Sequence, residues 1–283
     1  AGFSAQGVAS IFTALGRLGA GFDLELHHAL SRAALAIPPS QFPPQNAAAV
    51  FNSLANCRIL DRPLLSHMLS ALRAAQARGA GEAAFGGPQV VANVWHAAAV
   101  LNLACDAELL AWLRASLLPF PPRGAFSPQG VANIAWAVAV LDVRDLPTLR
   151  WVLAALDRHV SATPALGRAS SSSDVFLRQV WLFLVWCDHA HAPPFRDAAE
   201  EQAEVRGAVD ALREAVRKMR GRLSGKASRH SLLQAEVATA ARGVFGDGAV
   251  QEEWFCDATG YSVDMHVAAR NVSIEVDGPR HFA

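Results

Sequence analysis

The sequence predicts a mainly α-helical protein, in which an α-solenoid of helix-pair repeats is followed by a small α/β domain. Three observations predict this class. A motif beginning with Gln occurs four times at spacings of 39, 44 and 40 residues, from Gln6, Gln45, Gln89 and Gln129. Each copy has helical periodicity and is followed by a second amphipathic segment, which is typical of a helical repeat array. After residue 230 the pattern changes to one helix and then short alternating strands.

The composition and charge of the chain limit the classes of protein to which it can belong. The 283 residues are 52% hydrophobic and 18% charged, which argues against a disordered chain. The net charge is zero, so no overall basic field attracts nucleic acid, although local patches can still do so. No apolar run is long enough to span a bilayer, and we expect no membrane insertion. The four cysteines are far apart, and we expect Cys57 and Cys105 to be small buried residues in a reducing compartment.

A helical wheel separates a buried face from a polar face in every copy, when Gln is counted as offset zero. Apolar residues recur at offsets 2, 5 and 12, and are predicted to be buried: Val8, Ile11 and Leu18 in the first copy, and Val131, Ile134 and Leu141 in the fourth. Offset 3 is Ala in all four copies, and offset 8 is Ala or Ser. Small residues on both flanks allow neighbouring helices to approach closely.

The helix boundaries are marked by Pro and Asp. Pro44, Pro88 and Pro128 precede the Gln of their copies, where a missing N–H costs nothing. Second helices are predicted over 23–35, 62–77, 106–118 and 145–160, three of them with Asp at the start. A weaker fifth copy is predicted to start near Asp174, 45 residues after Gln129, and in it Trp181 takes the offset of Trp136.

Offsets 0, 4 and 7 form an uncharged polar row that differs between copies. Two interpretations are open. The row is an ordinary solvated helix face, or it faces a ligand, with amides bonding to base edges and aromatic rings stacking on bases. Under the second interpretation the candidate RNA-binding residues are Gln45, Asn52, Gln89, Asn93, His96, Gln129, Asn133 and Trp136.

The chain divides into five predicted regions. They are the repeats (1–160), a flexible linker (161–174), degenerate or capping helices (175–217), a basic linker (218–230) and the α/β domain (231–283). The basic stretch is either a solvated linker or a phosphate-contacting segment, which would make RNA affinity depend on salt. Its candidate residues are Arg217, Lys218, Arg220, Arg222 and Lys226.

The C-terminal motif resembles the RAP domain. It consists of Tyr261-Ser-Val-Asp264 and, about ten residues later, Ile274-Glu-Val-Asp-Gly-Pro-Arg-His-Phe282. The upstream copies resemble octotricopeptide repeats. A RAP domain normally continues beyond His-Phe with another strand and a helix. Since this chain ends at Ala283, we expect a C-terminally truncated domain with an incomplete sheet.

The resemblance implies an organellar RNA-binding factor of the chloroplast or mitochondrion. Such proteins hold single-stranded RNA on the helical array, carry a restriction-endonuclease-like domain, and act in RNA stability, processing, ribosomal RNA maturation or translation. The implied partners are single-stranded RNA and ribosome or ribonucleoprotein components. Arg280 and His281 then join the candidate RNA contacts.

A nuclease of this fold class needs acids on neighbouring strands, a Mg²⁺ ion and a Lys. Asp264 and Glu275 fit the acid positions, whereas Asp277 occupies the position of the Lys. We therefore expect no cofactor, with Mg²⁺ only if cleavage occurs. Three functions stay open at this stage: an RNA-binding factor, a metal-dependent endoribonuclease and a protein-binding helical scaffold.

Overall fold

A computed structural model describes residues 3–18, 23–161, 171–189, 199–220, 232–256 and 262–276. These residues form eleven α-helices and one three-stranded antiparallel sheet, which confirms a mainly helical protein with a small sheet near the C-terminus. The chain separates into two compact units, Ala1–Arg217 and Lys218–Ala283. Among the described helices, none has the length and apolar character needed to cross a membrane.

The first unit begins with four helix pairs. Their bounds are α1 (Ala5–Leu18), α2 (Leu24–Leu35), α3 (Pro44–Cys57), α4 (Arg62–Arg78), α5 (Pro88–Val100), α6 (Ala107–Leu117), α7 (Pro128–Val140) and α8 (Leu146–Ser161). Short 3₁₀ helices at Pro39–Gln41 and Gly81–Phe85 precede α3 and α5. The second helices agree with the predicted spans to within one or two residues.

Two further helices follow, α9 (Ser171–His189) and α10 (Ala199–Arg220), and the first unit ends at Arg217 within α10. The predicted linker over 161–174 is wrong at its end, because α9 begins at Ser171. A run of serines suits a linker, but Ser also favours helix starts. Helix α10 extends past the predicted end at 217 to Arg220.

The first helix of each of the second, third and fourth pairs ends in the same way. Arg58, Asn102 and Asp142 follow these helices with φ of 53°, 51° and 53°. The next residue then donates its N–H back across the last turn, as in Ile59 N to Leu54 O at 2.9 Å. This left-handed cap satisfies carbonyls that a helix end leaves unpaired. The recurrence at one offset supports a single structural repeat.

An aspartate caps the start of each second helix. The carboxylates of Asp61, Asp106 and Asp145 each accept a hydrogen bond from the backbone N–H of the residue three positions further along the chain. The distances are 3.0, 2.9 and 3.0 Å. Asp23 does the same for Glu25 at 2.8 Å. These bonds satisfy N–H groups that have no partner inside the helix, so the predicted helix starts have a defined cause.

The first helices of the pairs pack side by side in one layer, in the order α1, α3, α5, α7 and α9. The second helices lie against their own partners, and α2 contacts α4 while α6 contacts α8. The packing between neighbours is close. A Cβ on Gly16 of α1 would lie 3.0 Å from Ser53 Cα of α3, and one on Gly130 of α7 would lie 3.5 Å from Ala92 Cβ of α5. Small residues therefore set the spacing of this layer.

Three sequence predictions about individual residues are wrong. Leu18 is 74% exposed although it shares offset 12 with buried Leu141, because none of the described helices lies against that side of α1. Cys105 is exposed, since it lies in the turn between α5 and α6 and not in a helix. The fifth copy starts one residue later than predicted, at Val175, and this places Trp181 in the core at 5% exposure whereas Trp136 is half-buried.

The second unit packs one helix, α11 (Leu232–Phe245), on a sheet with strand order β1-β2-β3. The strands are β1 (Gln251–Phe255), β2 (Ser262–Val267) and β3 (Val272–Ile274), each antiparallel to its neighbour. Ala238, Ala241 and Met265 form its core. His266 of β2 is buried at 7% exposure, and its ring centre lies 3.9 Å from that of Trp254.

Candidate nucleic-acid interface

The predicted polar row lies on the first-layer helices, opposite their buried side. Gln45 and Gln89 are exposed, whereas the other candidates are half-buried. One residue from α9, Gln179, extends the row. We call this set the polar stripe: Gln45, Asn52, Gln89, Asn93, His96, Gln129, Asn133, Trp136 and Gln179.

Three amides join α7 to α9 within the stripe. Gln129 Nε2 donates to Asn133 Oδ1 at 2.9 Å and to Gln179 Oε1 at 2.7 Å. Gln179 Nε2 in turn donates to Asn133 Oδ1 at 2.9 Å. Among the described residues, these bonds leave Gln129 Oε1 as an acceptor and Asn133 Nδ2 as a donor for a ligand. The amides are held in fixed orientations before any ligand arrives, which reduces the ordering cost of binding.

Part of the same amide network is also present one repeat earlier in the chain. On α5, Gln89 Nε2 donates to Asn93 Oδ1 at 2.8 Å, at the offsets of Gln129 and Asn133. Gln45 differs, because its Nε2 donates to the carbonyl of Gly86 at 3.2 Å and so holds the turn before α5. The amide row is therefore best organised on α5, α7 and α9.

An aromatic pair crosses from α5 to α7 beside these amides. The His96 and Trp136 ring centres are 5.5 Å apart, with an angle of 41° between the ring planes. Burial lowers the pKa of His96 below its usual value, which favours a neutral imidazole at pH 7. Both rings are half-buried, so each keeps an accessible part. Bases of single-stranded RNA stack on such ring surfaces.

Sequence reasoning missed Gln179 because the fifth copy was placed one residue too early. The buried residues of α9 are Phe176, Leu177, Val180, Trp181, Phe183 and Leu184. They repeat the buried offsets of α7 when Val175 is counted as zero, and Gln179 then takes offset 4 with Asn93 and Asn133. That apolar pattern was the signal in the sequence that identifies Gln179.

The structure accounts for only part of the predicted basic segment. Arg217 is exposed near the end of α10, and its guanidinium carbon lies 6.0 Å from the centre of the Trp181 ring. Arg213 is engaged in ion pairs with Asp188 and Asp210, and its side chain is 18% exposed. Lys218 and Arg220 belong to α10, while Arg222 and Lys226 fall outside the described residues. The stripe itself carries no formal charge, so its side chains offer hydrogen-bonding groups and ring surfaces but no ion pairs.

The candidate acids of the second unit are used mainly in holding it together. Asp264 Oδ1 accepts from Gln234 Nε2 at 2.8 Å, and Oδ2 accepts from the Val276 N–H at 2.7 Å. Gln234 Nε2 also donates to Glu253 Oε1 at 3.0 Å. Asp264 thus ties α11 to the chain that follows β3.

These residues do not fit a magnesium site in the part of the chain that the structure describes. No group of three or more His, Cys, Asp or Glu side chains is placed there to hold a metal ion, and both oxygens of Asp264 already accept hydrogen bonds. Glu275 is exposed after β3. The remaining candidates, Asp277, Arg280 and His281, lie outside the described residues.

No protein-family model matches the chain, and no curated protein matches it. The likeness to RAP-domain and octotricopeptide proteins therefore rests on the sequence motifs alone and stays a prediction. On the stripe, the amide network of α7 and α9 and the ring pair of α5 and α7 lie on successive helices.

Proposed function

We propose that this chain is an organellar RNA-binding factor, an α-solenoid that binds single-stranded RNA along the polar stripe. The observation that carries the proposal is the amide network of Gln129, Asn133 and Gln179 beside the His96–Trp136 ring pair. Amides bond to base edges, and rings stack on base faces. An unstacked, single-stranded base can meet both groups at once, whereas a duplex hides its faces.

The proposed cellular location and role follow from the resemblance of the C-terminal motif to the RAP domain. The location is the chloroplast or mitochondrion, and the role lies in RNA stability, processing, ribosomal RNA maturation or translation, with ribosomal or ribonucleoprotein partners. The RAP-like unit adds to RNA binding in this proposal. Because the stripe is uncharged, we expect a shallow salt dependence, with few phosphate contacts beyond those of the basic residues near Arg217.

The test measures the affinity of the full chain for single-stranded RNA pools by filter binding over a salt series. Trp136→Leu keeps an apolar side chain at a half-buried position but removes the stacking surface. Stacking on one aromatic ring contributes about 1–3 kcal/mol, so we expect binding to weaken by about 5- to 150-fold. Asn133→Ala should also weaken binding, because it breaks the amide network.

Gln76→Ala on α4 is the matched control, since it removes an amide from the second layer. It should bind RNA like the unaltered chain. Absence of binding at low salt, or equal affinity in Trp136→Leu and Gln76→Ala, would refute the proposal. Circular dichroism of each variant checks that the helices are retained.

A further inference from the structure

The helix face that carries the polar stripe continues beyond offsets 0, 4 and 7. Because successive helix residues are rotated by about 100°, offset 11 lies about 20° from offset 0 and so on the same face. Offset 11 is Val100 in α5 and Val140 in α7, and it is Trp186 in α9 when Val175 is counted as zero. Val140 is 38% exposed, and Val100 and Trp186 are half-buried. This offset therefore faces outward, as the stripe does.

The chemical character of this face changes along the helices. On α5, α7 and α9, the amides of the stripe lie at offsets 0 and 4. Beside His96, offsets 7 and 11 of these helices carry only apolar side chains, which we call the apolar band: Val100, Trp136, Val140, Leu182 and Trp186. A nucleobase has a polar edge and an apolar face, so amides next to an apolar band offer groups for both.

The end of α7 holds Trp186 in one orientation. Asp142 follows α7, and its Oδ1 accepts a hydrogen bond from Trp186 Nε1 at 3.0 Å. Arg144 Nε donates to the same oxygen at 2.8 Å. The bonds from Arg144 and Trp186 outweigh burial and lower the pKa of Asp142, so the acceptor is a charged carboxylate at neutral pH. The ion pair with Arg144 offsets the negative charge that Asp142 would otherwise present to RNA.

The accessible part of the Trp186 side chain is a flat apolar surface. Its N–H is bonded to Asp142. Phe183, which is 0% exposed, lies behind it, with ring centres 6.0 Å apart and 30° between the ring planes. The exposed part of the indole therefore lies away from Phe183. An aromatic surface that is already oriented can stack on a base with little further ordering.

We propose that Trp186 is a second base-stacking residue, so that single-stranded RNA on the stripe continues from the His96–Trp136 pair to the end of α9. This inference rests on the proposed function. The Asn133–Gln179 bond joins offset 4 of α7 to offset 4 of α9, and the Trp186–Asp142 bond joins their C-terminal ends, so the two helices run in the same direction.

The positions of the two rings set the path of the RNA. Trp186 lies four residues further along its helix than Trp136 does, and on the neighbouring helix. A rise of about 1.5 Å per residue and a helix spacing of about 8–10 Å put the rings on the order of 10 Å apart. One base cannot stack on both, so Trp186 takes a different nucleotide. The RNA therefore crosses the layer diagonally, from the middle of α7 towards the C-terminal end of α9.

Two substitutions at Trp186 separate base stacking from a purely structural role. Trp186→Phe and Trp186→Leu both lose the N–H bond to Asp142 and both keep an apolar side chain, but only Phe keeps a ring. In filter binding of the full chain to single-stranded RNA, Trp186→Leu should bind about 5- to 150-fold more weakly than Trp186→Phe, which is the range for stacking on one ring. Circular dichroism checks that both variants keep their helices.

Equal RNA affinity of the two variants would overturn the proposal, because Trp186 would then only join α9 to α7. The same titrations include Trp136→Leu, which separates this failure from that of the proposed function. If Trp136→Leu weakens binding and the two Trp186 variants bind alike, the second stacking site is wrong and the stripe is retained. If the unaltered chain does not bind RNA, both proposals are wrong.

Photocrosslinking of the unaltered chain gives a check that depends on no variant. Single-stranded RNA containing 5-bromouridine is irradiated with the full chain, and the linked residues are identified by mass spectrometry. We expect crosslinks at Trp136 and at Trp186. A crosslink at Trp136 without one at Trp186 would contradict the proposed path.

Discussion

At the scale of single residues, the stripe depends on side chains that are uncharged and already oriented. His96 is the one titratable member, and it lies against Trp136. The helical period in the sequence is sufficient to predict that Gln129, Asn133 and Trp136 share a face. It does not predict that Gln129 and Asn133 bond to Gln179, which is 50 and 46 residues further on, because that contact depends on the register of α9.

We expect the imidazole of His96 to titrate below its ordinary pKa of about 6.5 in the folded chain, since burial disfavours its charged form. The unfolded chain then binds more protons between the two values. This contribution to stability is complete above about pH 6.5 and is lost as the pH falls through the folded pKa.

Two-dimensional NMR of the His rings checks this, with His96→Gln assigning the signal. The free energy of unfolding should fall more for the unaltered chain than for His96→Gln between about pH 7 and 5.5. A His96 ring that titrates at or above 6.5 would contradict the burial argument. His159, whose pKa burial also lowers, contributes equally to both proteins.

At the scale of helices, most boundaries follow from local chemistry. Pro is the first residue of α3, α5 and α7, and Asp caps the second helices, so these starts can be predicted from the sequence. The start of α9 cannot be predicted from the sequence, because its Ser-rich stretch suits a linker as well as a helix N-terminus. Asp61 does more than cap α4, because its carboxylate also accepts hydrogen bonds from Ser31 Oγ at 2.6 Å and from His27 Nε2 at 3.1 Å. Both partners lie on α2.

Asp61→Ala should therefore destabilise the chain more than Asp106→Ala. Each loses a helix cap worth about 1 kcal/mol. Asp61→Ala also deprives Ser31 and His27, both buried, of their shared acceptor, at a further cost of about 1–3 kcal/mol. Urea denaturation of the two variants measures the difference. Equal losses would show that the α2–α4 hydrogen bonds add nothing to stability.

The negative charge of Asp61 strengthens its hydrogen bonds to Ser31 and His27 of α2. Burial opposes the charged form, but hydrogen bonds from Ser31, the Leu64 N–H and His27 outweigh it and hold the pKa of Asp61 below its usual value. The carboxylate is therefore ionised at neutral pH. Its contribution to stability is present above the ordinary pKa of the carboxyl and is lost as the pH falls through the lowered pKa.

At the scale of the whole molecule, the sequence predicts the repeat and the change of class near residue 230. It does not predict which faces are covered. Leu18 and Leu141 occupy the same offset, yet they are 74% and 3% exposed. The hydrophobic pattern of one helix shows which of its faces is apolar. Whether that face is buried depends on whether a neighbouring helix covers it. The same limit applies to Asp264, whose two hydrogen-bond partners come from elements 30 and 12 residues away.

The proposed function requires that RNA lies along the polar stripe. Ultraviolet crosslinking of the full chain to single-stranded RNA, followed by mass spectrometry of the linked peptides, locates the bound RNA. We predict crosslinks in the α5 and α7 peptides, with loss of the α7 crosslink in Trp136→Leu. Crosslinks confined to α4, α6 and α8, or to the second unit alone, would contradict the account.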